Sequence, residues 1–218
     1  MLTLAIVAVL CSAECGLAAH PATEWAREEF AEYTGKIFGK VPNAAFFLPG
    51  ETQDFADDFK ALKGTDGYAV RTRGGRMCFV ADNPKGHVNG VHRWLERNSD
   101  IIWPRPAGDL CFFSKASASE LRRLGRSDYI DIPAFRLRYL GAESRNQEIW
   151  RWNVRNATTS MVVSDRLKPD EVELARKYGM YGCLGDSFGL SHSMERQWFP
   201  RKEFFGAHPE YYMLAGGQ

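Results

Sequence analysis

The chain has 218 residues with 28 basic and 27 acidic side chains, a net charge of +1. That balance gives no electrostatic reason to expect a nucleic acid or an anionic membrane surface as partner. The 44% apolar content suffices for one sizeable core or two small ones, and the 13% of aromatic residues serves cores first and sugar faces second.

Residues 2–11, LTLAIVAVLC, are too short an apolar run to span a bilayer as a helix. The run has the length of a signal-peptide core, with Gly16-Leu17-Ala18 as a small-residue cleavage site, which predicts export and no membrane insertion of the mature chain. No Lys or Arg precedes it, and it reads equally as a buried first strand of a cytoplasmic protein. Residues 1–19 therefore stand as a leader or a first strand.

Ala26, Phe30, Tyr33 and Ile37 recur at helical spacing, with Gly35 and Gly39 near the end. AAFFL (44–48) reads as a short buried strand, and Phe55, Phe59 and Leu62 mark a second helix closed by Gly64. In residues 67–81 two β-type runs flank Arg73-Gly74-Gly75-Arg76, which predicts a hairpin with positive φ at its turn. Val88, Val91 and Leu95 define a third helix starting after Pro84. IIW (101–103) reads as a strand stopped by Pro104 and Pro106. Residues 20–113 thus predict a compact unit of strands and helices with a mixed sheet. The polar, aperiodic residues 114–130 read as a linker.

From Pro133 the rhythm changes. AFRLRYLG (134–141) reads as a strand, and Ile149 and Trp152 as helical. TTSMVVS (158–164) is β-rich, Pro169-Asp170-Glu171 opens a helix, and MYGCLGD (180–186) reads as the next strand. This βα alternation over residues 131–218 is that of a parallel sheet or barrel. Three such units cannot close an eight-stranded barrel, and the aromatic stretch EFFGAHPEYYMLAGGQ (203–218) reads as a loop after the third strand. The expectation is an N-terminal piece of a longer protein, catalytically incomplete as written.

The five cysteines, Cys11, Cys15, Cys78, Cys111 and Cys183, form neither a CxxC pair nor a metal-type spacing. His87 and His92 in HVNGVH do not match HExxH, and at spacing five they do not share a helix face. They read as surface or interdomain residues. Gly86 and Gly90 lack the rest of a phosphate-cradling motif and read as a tight turn with close packing. No metal or cofactor is expected.

The run DGYAVRTRGGRMCFVADNPKGHVNGVHRWLERNSDIIWPRP (66–106) resembles the small N-terminal domain that precedes the barrel in bacterial alpha-glucuronidases and beta-N-acetylhexosaminidases. Its marks are a Gly-Tyr strand, a hairpin, a Gly-rich entry into a helix ending in Trp94-Leu95-Glu96, and a strand running into Trp103-Pro104. DIPAFRLRYLG (131–141) and the His208-Pro209-Glu210-Tyr211 run resemble the start of the barrel in secreted glycoside-hydrolase-like bacterial proteins. The resemblance covers roughly residues 20–218. It implies an α/β class: an α+β N-terminal domain, then the first three βα units of a TIM-like barrel. The implied activity is carbohydrate degradation, on a uronic acid or an N-acetyl sugar. The alternative is a non-catalytic carbohydrate-binding or scaffold module.

In such barrels the chemistry sits at the C-terminal strand ends. The resemblance assigns substrate gripping to Arg136 or Arg138 and a pocket role to His192, although this chain reads LSHS where the relatives read PGH. Glu143, Asp165 and Asp186 are the carboxylates that strand position favours, with loop capping or a solvated charge as their other reading. The relatives' paired acids follow a fourth strand, which places them beyond Gln218. Trp150, Trp152 and Trp198-Phe199 are candidates to stack on sugar, with Trp152 expected in the core. His208-Pro209-Glu210 reads as a packed bend before it reads as a site.

Overall fold

The computed structural model describes residues 19–106, 110–117, 120, 128–135, 138, 147–159, 167–180 and 201–209. Residues 1–18, most of the runs read as strands after residue 135 and the last nine residues lie outside this set.

Helix α1 (Pro21–Phe38) begins as its sequence dictates. Pro21 occupies the first turn, and His20 caps it by accepting the Ala22 N–H at its Nδ1 (3.1 Å). It ends at Gly39, whose φ of 66° permits the left-handed turn that returns its N–H to the Gly35 carbonyl. Strand β1 (Ala44–Phe47) and helix α2 (Ala56–Leu62) follow. Strands β2 (Tyr68–Arg73) and β3 (Arg76–Ala81) form the expected hairpin, with Gly74 and Gly75 both at positive φ. Helix α3 (Pro84–Asn98) starts on Asn83, whose side chain accepts the Gly86 N–H.

The sheet is mixed and four-stranded, in the order β1-β3-β2-β4. β1 runs parallel to β3, and β2 pairs antiparallel with β3 on one side and with β4 (Tyr129–Asp131) on the other. The fourth strand is thus drawn from the end of the stretch read as a linker and from the first residue assigned to the barrel. Three residues are too few to show an alternating pattern. What holds them is non-local: Asp128 accepts the Thr72 N–H (2.7 Å), and Tyr129 pairs with Val70. The expected strand over 101–103 is reduced to a single bridge between Ile102 and Phe112, with Ile101 and Trp103 turned into the core on either side.

The two-residue period of the strands sorts the core. Phe46, Tyr68, Val70, Met77 and Phe79 face α1 and α3 in the main cluster, while Ala69, Cys78 and Val80 face Phe55 and Leu62 of the α2 segment. Helices α4 (Gln147–Arg155) and α5 (Pro169–Lys177) join the main cluster through Trp150, Val154, Ala175, Tyr178 and Met180. A short α6 (Arg201–Phe204) lies near the chain end. Gly86 and Gly90 let α3 press on the sheet. A Cβ at Gly86 would lie 2.4 Å from the Gly67 carbonyl oxygen, and one at Gly90 would lie 3.1 Å from the Tyr68 ring.

Candidate functional site

The middle of α3 and the β2–β4 edge border a pocket of about 430 Å³. That lies within the roughly 300–1,000 Å³ typical of small-molecule sites. Its lining combines Asn89 and Arg93 of α3, Tyr68 and Asp131 of the sheet, and Arg138 with Asn156–Thr158 beyond α4. The Tyr68 hydroxyl donates to Asp131 (3.2 Å), and burial pushes its ionisation well above the ordinary range, so it stays neutral. Ala157 is the one non-glycine residue at positive φ (51°) among the described residues. Strained backbone of this kind clusters at functional sites.

Arg138 is the sequence-predicted site residue that the structure brings here. Its guanidinium forms a two-point ion pair with buried Asp66: Nη2 meets Oδ2, and Nη1 lies 3.3 Å from Oδ1. Nε donates to the Ala157 carbonyl (2.8 Å), and Nη1 also donates to that of Phe135 (2.7 Å). Four of its five N–H bonds are thus committed to described residues of the protein. Asp66 is also held by Asn89 Nδ2, which bonds both its carboxylate (3.0 Å) and its carbonyl (2.8 Å). Arg138 therefore braces the pocket wall more than it grips a substrate. Arg136, Glu143, Asp165, Asp186 and His192 lie outside the described residues, as do Trp198, Phe199 and Glu210. His208 is described, its N–H bonded to the Phe204 carbonyl (2.8 Å) as a packed bend requires.

Lys85, which no motif flagged, is wholly buried at the N-terminal end of α3. Burial brings its ammonium down to about 7, opposed by Asp66 and reinforced by Arg138 and Arg93. The signal present in the sequence was its spacing: Lys85, Asn89 and Arg93 recur every four residues, one stripe of α3.

The two histidines expected at the surface are instead fully buried. They lie on different flanks of α3, as spacing five requires, and each finds its own partners. Thr23 Oγ1 meets His87 Nδ1 at 3.0 Å, and His87 Nε2 lies 3.1 Å from the Phe47 carbonyl, an acceptor. That pattern fits a neutral ring protonated at Nε2, and burial lowers its ionisation to about 3. His92 lies between the Val88 carbonyl (2.9 Å) and Glu29 Oε2 (3.1 Å). Polarity was mistaken for exposure; both rings are satisfied polar members of the core. Trp150 is likewise core, and Trp152 packs on it while donating Nε1–H to the Trp103 carbonyl (2.8 Å).

Among the described residues, no group of three His, Cys, Asp or Glu side chains is placed to hold a metal ion, and no helix is long and apolar enough to cross a membrane. Cys78 and Cys111 are free thiols; the other cysteines lie outside the described residues. Comparison with protein families, with curated proteins and with solved structures found no match to the chain.

Proposed function

We propose that the chain belongs to a glycoside-hydrolase-like protein of carbohydrate degradation, and that the pocket beside α3 holds a sugar residue. The observation that carries this is the lining. It sets the amides of Asn89 and Asn156, the hydroxyl of Thr158 and the Tyr68–Asp131 pair around one cavity of sugar size. Such a lining, apolar over most of its area with a few hydrogen-bonding groups, suits a sugar ring, which presents an apolar face and hydroxyls together. The resemblance of residues 66–106 to domains that precede glycosidase barrels supports the same reading. The order α4 then α5 is compatible with a TIM-like barrel beginning after β4, and export through residues 2–11 belongs to the same proposal.

Within this reading the pocket binds and does not cleave. Glycoside hydrolysis requires two positioned carboxyl groups. Among the described residues, Asp66 behind the pocket is consumed by Arg138 and Asn89, and Asp131 in its lining accepts from Tyr68. That observation favours the second reading, a non-catalytic carbohydrate-binding module, for the described residues. The test is calorimetric binding of the 218-residue chain to a panel of plant and animal oligosaccharides, alongside a panel of aryl glycosides. Binding without turnover is expected. Absence of binding to every glycan would contradict the carbohydrate reading, and turnover by this chain would contradict the assignment of the pocket to binding alone.

A further inference from the structure

A second cavity, of about 570 Å³, adjoins the pocket beside α3. Glu96 near the end of α3, the segment Ser99–Trp103 that follows the helix, and Asn156 line it. Among the described residues the two linings share only Asn156, which therefore stands where one cavity meets the other. A charge pair marks the same junction: Arg93, in the lining of the first cavity, meets Glu96, in the lining of the second, at 2.5 Å.

The side chains of the second cavity that remain open to a ligand are acceptors. Ser99 is committed to the protein: its hydroxyl donates to the Leu95 carbonyl (2.7 Å) and takes the Ile101 N–H (3.3 Å). Asp100 takes the Ser114 N–H (2.7 Å) and the Ser114 hydroxyl (2.6 Å), and a carboxylate can accept about four hydrogen bonds. Asn156 Nδ2 donates to the Trp152 carbonyl (2.9 Å), which fixes the amide and leaves Oδ1 to accept. Beside these acceptors Ile102 is 55% exposed and adds an apolar face. Acceptors next to an apolar face suit a ring that carries hydroxyl donors, and the two carboxylates disfavour an anion.

We infer that the second cavity is a subsite for a second, uncharged sugar residue, so that the ligand is a chain of at least two residues whose linkage lies beside Asn156. This rests on the proposed sugar pocket and extends it. One residue of the chain occupies the pocket beside α3. The next lies against Ile102 and donates its hydroxyls to Asp100 and Glu96.

The test is calorimetry on the 218-residue chain with the mono-, di- and trisaccharides of three β-linked series, built from glucose, xylose and N-acetylglucosamine. In at least one series the disaccharide should bind about tenfold tighter than the monosaccharide, the worth of one or two added hydrogen bonds. The trisaccharide should add no more than about threefold, because two cavities hold two residues. Asp100→Ala and Ile102→Ala, each checked for folding by thermal melting, should bring the disaccharide to within about threefold of the monosaccharide. In NMR titrations the disaccharide should shift the amides of Ile101, Ile102 and Trp103 together with those of Asn89 and Asn156. The monosaccharide should shift only the latter two. Equal affinity for mono- and disaccharide in every series would overturn the inference and leave the first pocket standing, as would a disaccharide advantage that survives both substitutions. Binding by no member of the three series would overturn it together with the sugar pocket beside α3.

Discussion

Glu29 on α1 and Arg155 at the end of α4 meet in a buried two-point ion pair across 126 positions of sequence. Arg155 Nε lies 2.9 Å from Oε2 and Nη2 lies 2.8 Å from Oε1. The same Nη2 also donates to the Tyr33 hydroxyl oxygen (3.1 Å), and His92 reaches the same carboxylate. The pair fastens α4 to the α1–α3 layer, so the pocket edge that follows α4, Asn156 to Thr158, inherits its position from it.

Glu29→Gln should therefore destabilise the fold. Removing one member of a buried pair strands the other, at a cost of about 3–5 kcal/mol. The pH dependence has a defined sign. Burial alone would raise Glu29, but the hydrogen bonds from His92 and Arg155 outweigh it and hold the carboxyl at about 2, below its ordinary 4.5. Its stabilising contribution is complete above about 4.5 and is lost as pH falls through 2. Urea melts of the wild type and the variant at pH 7, 4 and 2 should show the gap between them shrinking with acid. A gap independent of pH would refute the coupling.

Gly86→Ala tests the close approach of α3 to the sheet. Its new Cβ would meet the Gly67 carbonyl and the Ala81 Cβ, at 2.4 and 2.7 Å, so α3 must move outward. A loss of about 1–3 kcal/mol is expected, against a gain of up to about 1 kcal/mol for the same change in an unencumbered helix. Thermal melting that finds the variant as stable as the parent would remove the steric role of Gly86.

Lys85→Met should stabilise the protein at neutral pH. The folded state binds the Lys85 proton less tightly than the unfolded chain, at about 7 against an ordinary 10.5. Between those values the unfolded state holds more protons, so stability rises with pH; below about 7 the cost is fully present. Relief of that cost is on the order of a few kcal/mol, which should raise the melting temperature by at least about 4 °C at pH 7 and by less at pH 10. A melting temperature lowered at pH 7 would show that the lysine stem packs more than its charge costs.

The helix starts and ends and the hairpin were legible because their signals are local. Pro21, Pro84 and Pro169 start helices, Gly39 and Gly179 end them at positive φ, and Gly74-Gly75 turn the hairpin. The edge strand β4 was not legible, because its three residues are specified by pairing with Tyr68–Val70 and not by their own pattern. The pocket was legible only at Arg138. Asp66, Asn89, Asn156 and Lys85 carry no motif, and they converge through contacts between residues far apart in sequence, such as Arg138 with Asp66 at a separation of 72. His87 and His92 were misplaced because a polar ring within an apolar helix face is satisfied by partners that only the packed structure supplies.

Chemical-shift mapping of the ¹⁵N-labelled chain, titrated with whichever glycan binds, addresses the sugar pocket itself. The perturbed amides should cluster at Tyr68, Asn89, Arg93, Asp131 and Asn156–Thr158, and Tyr68→Phe should weaken binding about three- to tenfold by removing one hydroxyl. Saturable binding whose perturbations avoid these residues, or that Tyr68→Phe and Asp131→Asn both leave unchanged, would contradict a sugar site beside α3.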